Sequence, residues 1–167
     1  RLVIMSSPAG PRRPERPAGD RLRRPGRGGG RIGGVGPLSL DIGAILAGWD
    51  FQPDDLQVRL ITGDDGRDKI QMRVDLGVLQ MECEGRPDGR RPHDRESLLD
   101  HHEALRDEAL AAGEDFIVDA ADCAALMREG LQYYHRYLSA FHLQLYDLVA
   151  RDTERNLRLF AFVSRHA

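Results

Sequence analysis

The stretch from Asp119 to Val163 constrains the fold more than any other part of the chain, because apolar residues recur there at three- and four-residue spacing. This spacing predicts two helices, from about Ala120 to Phe141 and from about Leu145 to Val163. Asp119 is suited to cap the first helix, since its carboxylate can accept hydrogen bonds from free backbone N–H groups of the first turn. The short connection from His142 to Gln144 predicts that the helices are antiparallel neighbours.

Each predicted helix has one apolar stripe, which we expect to face the other helix. On the first helix the stripe consists of Cys123, Met127, Gly130, Tyr134, Tyr137, Leu138 and Phe141. On the second helix it consists of Leu145, Val149, Thr153, Asn156, Leu157, Phe160 and Val163. The solvent side of the second helix is expected to carry Arg151, Asp152, Glu154, Arg155 and Arg158.

Three apolar residues of the second helix fall outside this stripe, namely Leu148, Leu159 and Phe162. With a small residue at Gly130, aromatic residues in the first helix and a short link, the pair resembles one tetratricopeptide-like unit, although the usual glycine of the turn is absent. Such units cannot bury their faces without neighbours. The three residues therefore form a predicted interaction face for a protein partner or for missing C-terminal helices, and we expect the chain to be a C-terminally truncated fragment. The alternative is that an earlier helix of this chain covers them.

Alternating residues predict an antiparallel β-ribbon over about residues 57–84. The apolar and polar residues around Arg59 alternate as in a half-buried strand, and they alternate strictly over Lys69–Leu76. After Gly77 the apolar phase shifts, which indicates a bulge or bend. The predicted fold class is therefore α+β: a β-hairpin or ribbon followed by an α-helical bundle, in a single domain over residues 38–167.

The N-terminal 37 residues differ from the rest in composition. They contain six of the nine Pro and nine of the eighteen Gly, which predicts disorder. Nine Arg against Glu15 and Asp20 give them a net charge of +7, so the net charge of −3 for the whole chain leaves −10 for residues 38–167. The acidic balance of residues 38–167 argues against general nucleic-acid binding by that part.

Three interpretations of this Arg-rich leader are open. The run RPGRGGGR (24–31) resembles an arginine-glycine RNA-binding segment. High arginine content is also typical of a transit peptide. The third interpretation, which we favour, is a wrongly extended start, because GC-rich upstream DNA translates into Arg, Gly and Pro.

Cysteine usage and hydropathy bear on the compartment. Cys83 and Cys123 lie far apart within apolar patterns, and we see no signal peptide, which favours a reducing compartment and a cytoplasmic location. No apolar run approaches the roughly 18 residues that a membrane span requires. We therefore expect no membrane partner.

The loop from Gly85 to His93 contains the candidate ligand site. Arg86, Arg90, Arg91 and His93 cluster there, and they would hold a phosphate or carboxylate if their side chains converged. Loop arginines are more commonly solvated, so the anion site is the less favoured outcome.

A helix is predicted from about Arg95 to Ala112, with Asp94 as its cap and Gly113 at its end. On this helix His101 and His102 are adjacent, and adjacent helical residues project about 100° apart, so the two cannot easily bind one metal. No nucleophile motif, phosphate loop or spaced cysteine pair is present. We therefore predict no catalytic residue, metal or cofactor, and no enzyme activity.

Four runs carry a family resemblance: GDDGRDKIQMRVDLGVLQMECEGRPDGRRPH (63–93), SLLDHH (97–102), EGLQYYHRYLSAF (129–141) and RDTERNLRLFAFV (151–163). Through them the chain resembles the N-terminal region of bacterial UVR-domain-containing proteins, roughly from Leu38 to the end. The UVR motif itself, a helical hairpin shared with nucleotide-excision-repair subunits, is missing here. The resemblance brings no catalytic residue and implies a protein-interaction role.

Three functions remain open from the sequence. The first is a non-catalytic intracellular interaction or scaffold module, which accounts for the helical stripes and the uncovered face. The second is a nucleic-acid- or repair-associated protein, acting through the leader or a missing UVR hairpin, with binding that weakens steeply with salt. The third is an anion-binding protein or enzyme that uses the Arg86–His93 loop, with a pocket where this loop meets the helices.

Overall fold

The computed structural model describes residues 41–167, in which a three-stranded sheet is followed by three long helices. The elements are α1 (Gly43–Leu46), β1 (Val58–Thr62), β2 (Asp68–Val74), β3 (Gly77–Glu82), α2 (Leu98–Ala112), α3 (Ala120–His142) and α4 (Tyr146–His166). This arrangement confirms the predicted α+β class. The leader over residues 1–37, with its three interpretations, lies outside the described residues.

The sheet is an antiparallel meander in the order β1-β2-β3. Ile70 pairs with Met81 across β2 and β3, and both are buried against the helices. The predicted bulge or bend at Gly77 is wrong, because Val74 pairs directly with Gly77 and the chain reverses through Asp75–Leu76. A tight turn changes which alternate residues are apolar, and an inserted residue does the same. The alternation of apolar and polar residues therefore does not distinguish a bent strand from a second hairpin.

The helix ends follow from local capping. Ser97 rather than Asp94 caps α2, with its hydroxyl oxygen accepting a hydrogen bond from the backbone N–H of Asp100 at 3.1 Å. Asp94 itself ends a short 3-10 helix (Pro92–Asp94) with a φ of 58°, which a right-handed α-helix does not accommodate. Gly113 ends α2 in the left-handed region, as predicted. Asp119 caps α3, as predicted, because its carboxylate accepts a hydrogen bond from the backbone N–H of Asp122 at 2.8 Å.

Helices α3 and α4 are antiparallel neighbours, as the short connection predicted. Midway along the pair, Asn156 Nδ2 donates to the Gly130 carbonyl at 2.9 Å. At the connected end the rings of Phe141 and Tyr146 have centroids 6.2 Å apart. Gly130 permits the close approach, since a Cβ there would lie 2.6 Å from Cδ2 of the buried Leu159.

The buried face of α3 differs from the predicted stripe. Its buried residues are Leu126, Glu129, Gly130, Tyr133, Arg136, Ser139 and Ala140. Gly130 alone belongs to both sets, and Met127, Tyr134 and Phe141 of the predicted stripe are exposed. The prediction of an inward-facing stripe on α3 is therefore wrong by roughly a quarter turn.

The buried face of α4 is rotated in the same way. Its buried residues are Asp152, Arg155, Asn156, Leu159 and Phe162, whereas Leu157 and Phe160 are exposed. The assignment of Asp152 and Arg155 to the solvent side is therefore wrong. The prediction failed because it assigned charged residues to water, whereas here opposite charges pair inside the protein.

Two apolar clusters form the core of the described residues. The first joins α2, α3 and α4 and contains Leu99, Val118, Leu126, Leu159 and Phe162. The second joins the sheet to the α3–α4 turn and contains Ile70, Met72, Met81 and Ala140, with Leu148 packed against it. Leu159 and Phe162 of the predicted interaction face are thus covered by earlier helices of this chain, as the alternative held, whereas Leu148 is half-buried and packs against the sheet cluster. Leu159 is 0% and Phe162 is 4% exposed.

Candidate functional site

Buried charged side chains separate the two apolar clusters, and we call Glu129, Arg136, Asp152 and Arg155 the ionic layer. Arg136 is 1% exposed and Asp152 is 0% exposed. Arg136 donates from Nε to Asp152 Oδ2 at 2.6 Å and from Nη2 to Oδ1 at 2.8 Å, a bidentate arrangement. Its Nη1 donates to the carbonyls of Glu82 and Gly85, each at 2.8 Å. One guanidinium therefore ties α3 to α4 and to the end of β3.

Glu129 lies at the N-terminus of α2. The backbone N–H groups of Leu98 and Leu99 donate to its carboxylate at 2.7 and 3.2 Å. Arg155 Nη2 donates to the same carboxylate, and Arg86 Nε lies 3.4 Å from it. A helix N-terminus favours negative charge, because its N–H groups are unpaired and its dipole is positive there. This internal carboxylate therefore occupies the place that an external anion would take.

A polar cavity of about 910 Å³ lies beside the ionic layer, between α2, α4 and the loop after β3. Four arginines and five carboxylates line it. Arg151 pairs with Glu84 at 2.7 Å, and Arg158 pairs with Asp100 at 2.8 Å. One buried donor, Nε of Arg155, has no partner among the described residues. The lining therefore has one more carboxylate than guanidinium groups, so its formal charge does not favour an anion.

The predicted anion-binding side chains do not converge. Arg86 is half-buried beside Glu129, whereas Arg90, Arg91 and His93 are exposed. The pocket that the anion hypothesis predicted exists, but arginines of α3 and α4 line it instead of these four residues. Carboxylates of the chain already pair with Arg86, because its Nε lies 3.2 Å from Asp88 Oδ1 and 3.4 Å from Glu129 Oε1.

The histidines near α2 form a stack. The rings of His93 and His101 are 3.9 Å apart and nearly parallel, and His102 meets His101 edge-on at 5.4 Å. Burial lowers the pKa of His101, and the neighbouring His93 and His102 lower it further. Among residues 41–167, no group of three or more His, Cys, Asp and Glu is arranged to hold a metal ion.

The lowered pKa of His101 predicts a loss of stability in mild acid. The unfolded chain, in which a histidine titrates near 6.5, binds the proton more readily, so the free energy of unfolding falls as the pH drops below about 6.5. Urea denaturation should give a lower free energy of unfolding at pH 5.5 than at pH 7.5. In His101→Gln the difference between the two pH values should be smaller. An equal fall in the variant and the wild type would assign the pH dependence to other groups.

The outward side of the α3–α4 pair is apolar and exposed. Seven large side chains, which we call the outer face, are between 42% and 65% exposed: Met127, Leu131, Tyr134, Phe141, Tyr146, Leu157 and Phe160. The close contact of Phe141 with Tyr146 makes the surface continuous across the two helices at their connected end.

The outer face follows a regular repeat on both helices. Alternating four- and three-residue steps connect Met127, Leu131, Tyr134, Leu138 and Phe141 on α3. The same steps connect Tyr146, Ala150, Thr153, Leu157 and Phe160 on α4. None of these ten positions is charged. An uncharged seven-residue repeat is typical of a helix that packs against another helix along its length.

Sequence reasoning missed the ionic layer and misplaced the outer face. A usable signal was present, since Glu129 and Arg136 lie seven residues apart on one helix and Asp152 and Arg155 lie three apart on the other. Opposite charges on one face of each helix are consistent with two helices that pack together and neutralise each other's charges. The same rotation turns much of the predicted α3 stripe outwards, so Met127, Tyr134 and Phe141 are part of the outer face.

Comparison with family models, with curated proteins and with solved structures finds no match to this chain. A functional argument therefore depends on the geometry of the chain itself. None of the helices among residues 41–167 has the length and apolar character needed to cross a membrane.

Proposed function

We propose that this chain is a non-catalytic protein-interaction module whose docking surface is the outer face. The observation that carries the proposal is the continuous, uncharged surface of seven large apolar side chains on two adjacent helices. The resemblance to UVR-domain-containing proteins, which implies an interaction role, supports the same function.

The size of the outer face supports this function. Large aromatic side chains bury roughly 150–250 Å² each, so a half-exposed one offers roughly 100 Å², and the seven residues offer at most about 700 Å². One partner of a standard protein interface contributes about 800 Å², and patches beyond a few hundred Å² on a monomer are often functional. The outer face is therefore large enough for a specific partner.

The repeat on the outer face defines the chemistry of the partner. Side chains at alternating three- and four-residue steps accept the knobs of another helix with the same repeat. The partner is accordingly an amphipathic helix, or a helix pair, with an uncharged apolar stripe. Affinity comes from apolar burial, so binding depends weakly on salt, in contrast to nucleic-acid binding.

A labelled helical peptide with leucines at alternating four- and three-residue steps tests this function. We expect the protein to bind it, and we expect Leu131→Glu to weaken binding at least tenfold, because a charge would enter the apolar contact. Fluorescence anisotropy of the peptide measures the effect.

Leu110→Glu is the matched control, since Leu110 is 61% exposed but lies on α2. It should leave binding unchanged. Absence of peptide binding by the wild-type protein, or equal weakening by both substitutions, would count against the outer face as a docking surface.

A further inference from the structure

The inner face of the sheet, which packs against the helices, is incompletely covered near the start of α4. Ile70 and Met81 are buried on this face, and Leu60 shares it because Leu60 pairs directly with Ile70. Leu60 is nevertheless 43% exposed. Cys83 follows Met81 by two residues, so it continues the same face, and it is half-buried. Two apolar residues on the core side of the sheet therefore remain partly open to solvent.

A cavity of about 780 Å³ lies at this place, between the sheet and the start of α4, and we call it the sheet-end cavity. Its apolar lining consists of Leu60, Cys83, Leu145, Tyr146 and Leu148, and more of its exposed surface is apolar than polar. Leu145 and Leu148 also pack against the apolar cluster of the sheet, so the core fixes this wall. A mostly apolar cavity of roughly 300–1,000 Å³ is typical of a small-molecule site.

The charged groups of the sheet-end cavity carry a net negative charge. Two arginines and four carboxylates line it, for a formal charge of −2: Arg67, Arg151, Asp68, Glu82, Glu84 and Asp147. Both arginines are held by carboxylates, since Arg151 Nη1 lies 2.7 Å from Glu84 Oε2 and Arg67 Nη2 lies 2.7 Å from Asp65 Oδ2. The adjacent Lys69 and Asp65 add one charge of each sign and leave the sum unchanged. A cleft with an excess of one sign attracts the opposite charge.

Two of the four carboxylates have no cationic partner among residues 41–167. Asp68 begins β2 on the inner face of the sheet, and its Oδ1 accepts a hydrogen bond from the uncharged Thr62 hydroxyl at 3.2 Å. Asp147 lies in the first turn of α4, where the helix dipole favours its charged form. Both side chains are exposed. The unpaired charge of the sheet-end cavity therefore lies on both of its walls, at Asp68 and at Asp147.

The thiol of Cys83 reflects the same surroundings. Burial raises the pKa of Cys83, and the neighbouring carboxylate of Asp68 raises this pKa further. The thiol is therefore uncharged at neutral pH, and it adds apolar surface but no charge to the cavity.

We propose that the sheet-end cavity binds a small organic cation, a molecule with an apolar body and an amine group. The apolar body covers Leu60 and Cys83, and the amine supplies the positive charge that Asp68 and Asp147 lack. The ring of Tyr146 gives a further contact, because aromatic faces attract cations. An anion of the same size would meet like charge, so the cavity discriminates by sign. This site is additional to the docking function of the outer face and does not depend on it.

Two fluorescent probes of opposite charge test the proposal. Dansylcadaverine has an apolar ring system and an amine, and dansylaminohexanoate has a carboxylate in place of that amine on the same linker. In titrations of the full chain we expect the amine probe to have a dissociation constant at least tenfold lower than the carboxylate probe. Equal constants, tighter binding of the carboxylate probe, or no saturable binding of the amine probe would overturn the proposal.

Substitutions in the lining locate the bound probe. Cys83→Leu places a larger apolar side chain in the cavity and should raise the dissociation constant of dansylcadaverine at least tenfold. Urea denaturation checks that this variant folds, since Cys83 is half-buried. The double variant Asp68→Asn, Asp147→Asn changes exposed positions and should bring the constants of the two probes within about threefold of each other. An undiminished preference for the amine in the double variant would overturn the role of these carboxylates.

Asp115→Asn is the matched control for charge. Asp115 is exposed in the loop before α3, close to Val118, whose N–H donates to the His166 carbonyl at the far end of α4. The 21 residues of α4 place this end about 30 Å from the sheet-end cavity. Asp115→Asn should leave the preference for the amine unchanged. An equal loss in this control and in the double variant would assign the preference to the net charge of the whole chain and overturn the proposal.

Leu131→Glu separates the sheet-end cavity from the outer face, which shares Tyr146 with it. Leu131 is ten residues from Phe141, the contact of Tyr146, and therefore about 15 Å away along α3. This substitution should weaken binding of the leucine-repeat peptide but leave the dissociation constant of dansylcadaverine within about threefold. Loss of probe binding in Leu131→Glu, with retention in Cys83→Leu, would place the probe on the outer face and overturn the cavity site. A chain that binds the amine probe in the cavity but not the peptide would overturn the docking function alone.

Discussion

Asp152→Asn is expected to lower the free energy of unfolding by about 3–5 kcal/mol, measured by urea denaturation. The substitution leaves the shape almost unchanged but removes the charge that faces Arg136. That guanidinium is 1% exposed, so water cannot compensate it. Small domains are stable by roughly 5–15 kcal/mol, so the variant should lose a large part of its stability.

An exposed pair provides the control for this prediction. Arg106 Nη2 lies 2.7 Å from Asp107 Oδ1, but the Asp107 side chain is 66% exposed. Asp107→Asn should therefore lower the free energy of unfolding by less than about 1 kcal/mol. The double variant Arg136→Met, Asp152→Leu should be less damaged than Asp152→Asn, because no charge is left unpaired. Equal, small losses for the Asp107 and Asp152 single variants would contradict the burial of the Arg136–Asp152 pair.

Glu129→Gln is expected to destabilise the protein by roughly 3 kcal/mol and to loosen the start of α2. Glu129 accepts the first N–H groups of α2 and also neutralises the buried Arg155. The amide of Gln keeps one acceptor oxygen but places an N–H group where the second acceptor was. The first turn of α2 therefore loses a charged cap, and Arg155 loses its counter-charge.

Hydrogen exchange at Leu98 and Leu99 separates this local effect from global unfolding. Their amide protons should exchange faster in Glu129→Gln than the loss of global stability accounts for. Glu108→Gln, at an exposed position of α2, should leave both amides protected. Exchange at Leu98 and Leu99 that rises only in step with the rest of α2 would contradict the capping role.

The elements of this fold could be predicted from local patterns, but their buried faces could not. Strict alternation over Lys69–Leu76 and the caps at Asp119 and Gly113 determine structure within a few residues, so they are readable from the sequence. The burial of Arg136 depends on carbonyls about 50 residues earlier, at Glu82 and Gly85, and on Asp152 in the next helix. Spacing within one helix contains no information about such distant partners.

The candidate site shows the same limit. Met127, Tyr134 and Phe141 of the outer face belong to the apolar stripe that the sequence predicts, whereas Leu131 does not. The predicted direction of the stripe was wrong because pattern reasoning always places the more apolar side inside. The Arg86–His93 loop shows a second limit. Whether clustered arginines bind a ligand depends on which carboxylates of the fold reach them, and the sequence does not indicate that Glu129 reaches Arg86.

The ionic layer also determines the register of the helical hairpin. If α4 moved along α3 by one turn, Leu148 or Asn156 would lie opposite Arg136, and Asp152 would enter apolar surroundings without a counter-charge. We infer that this penalty leaves the hairpin one permitted alignment. The outer face does not determine the alignment of a partner in this way, because its uncharged repeat presents nearly the same surface after a shift of seven residues along the helix. A partner that slides along this surface would therefore meet a protein whose own helices cannot slide.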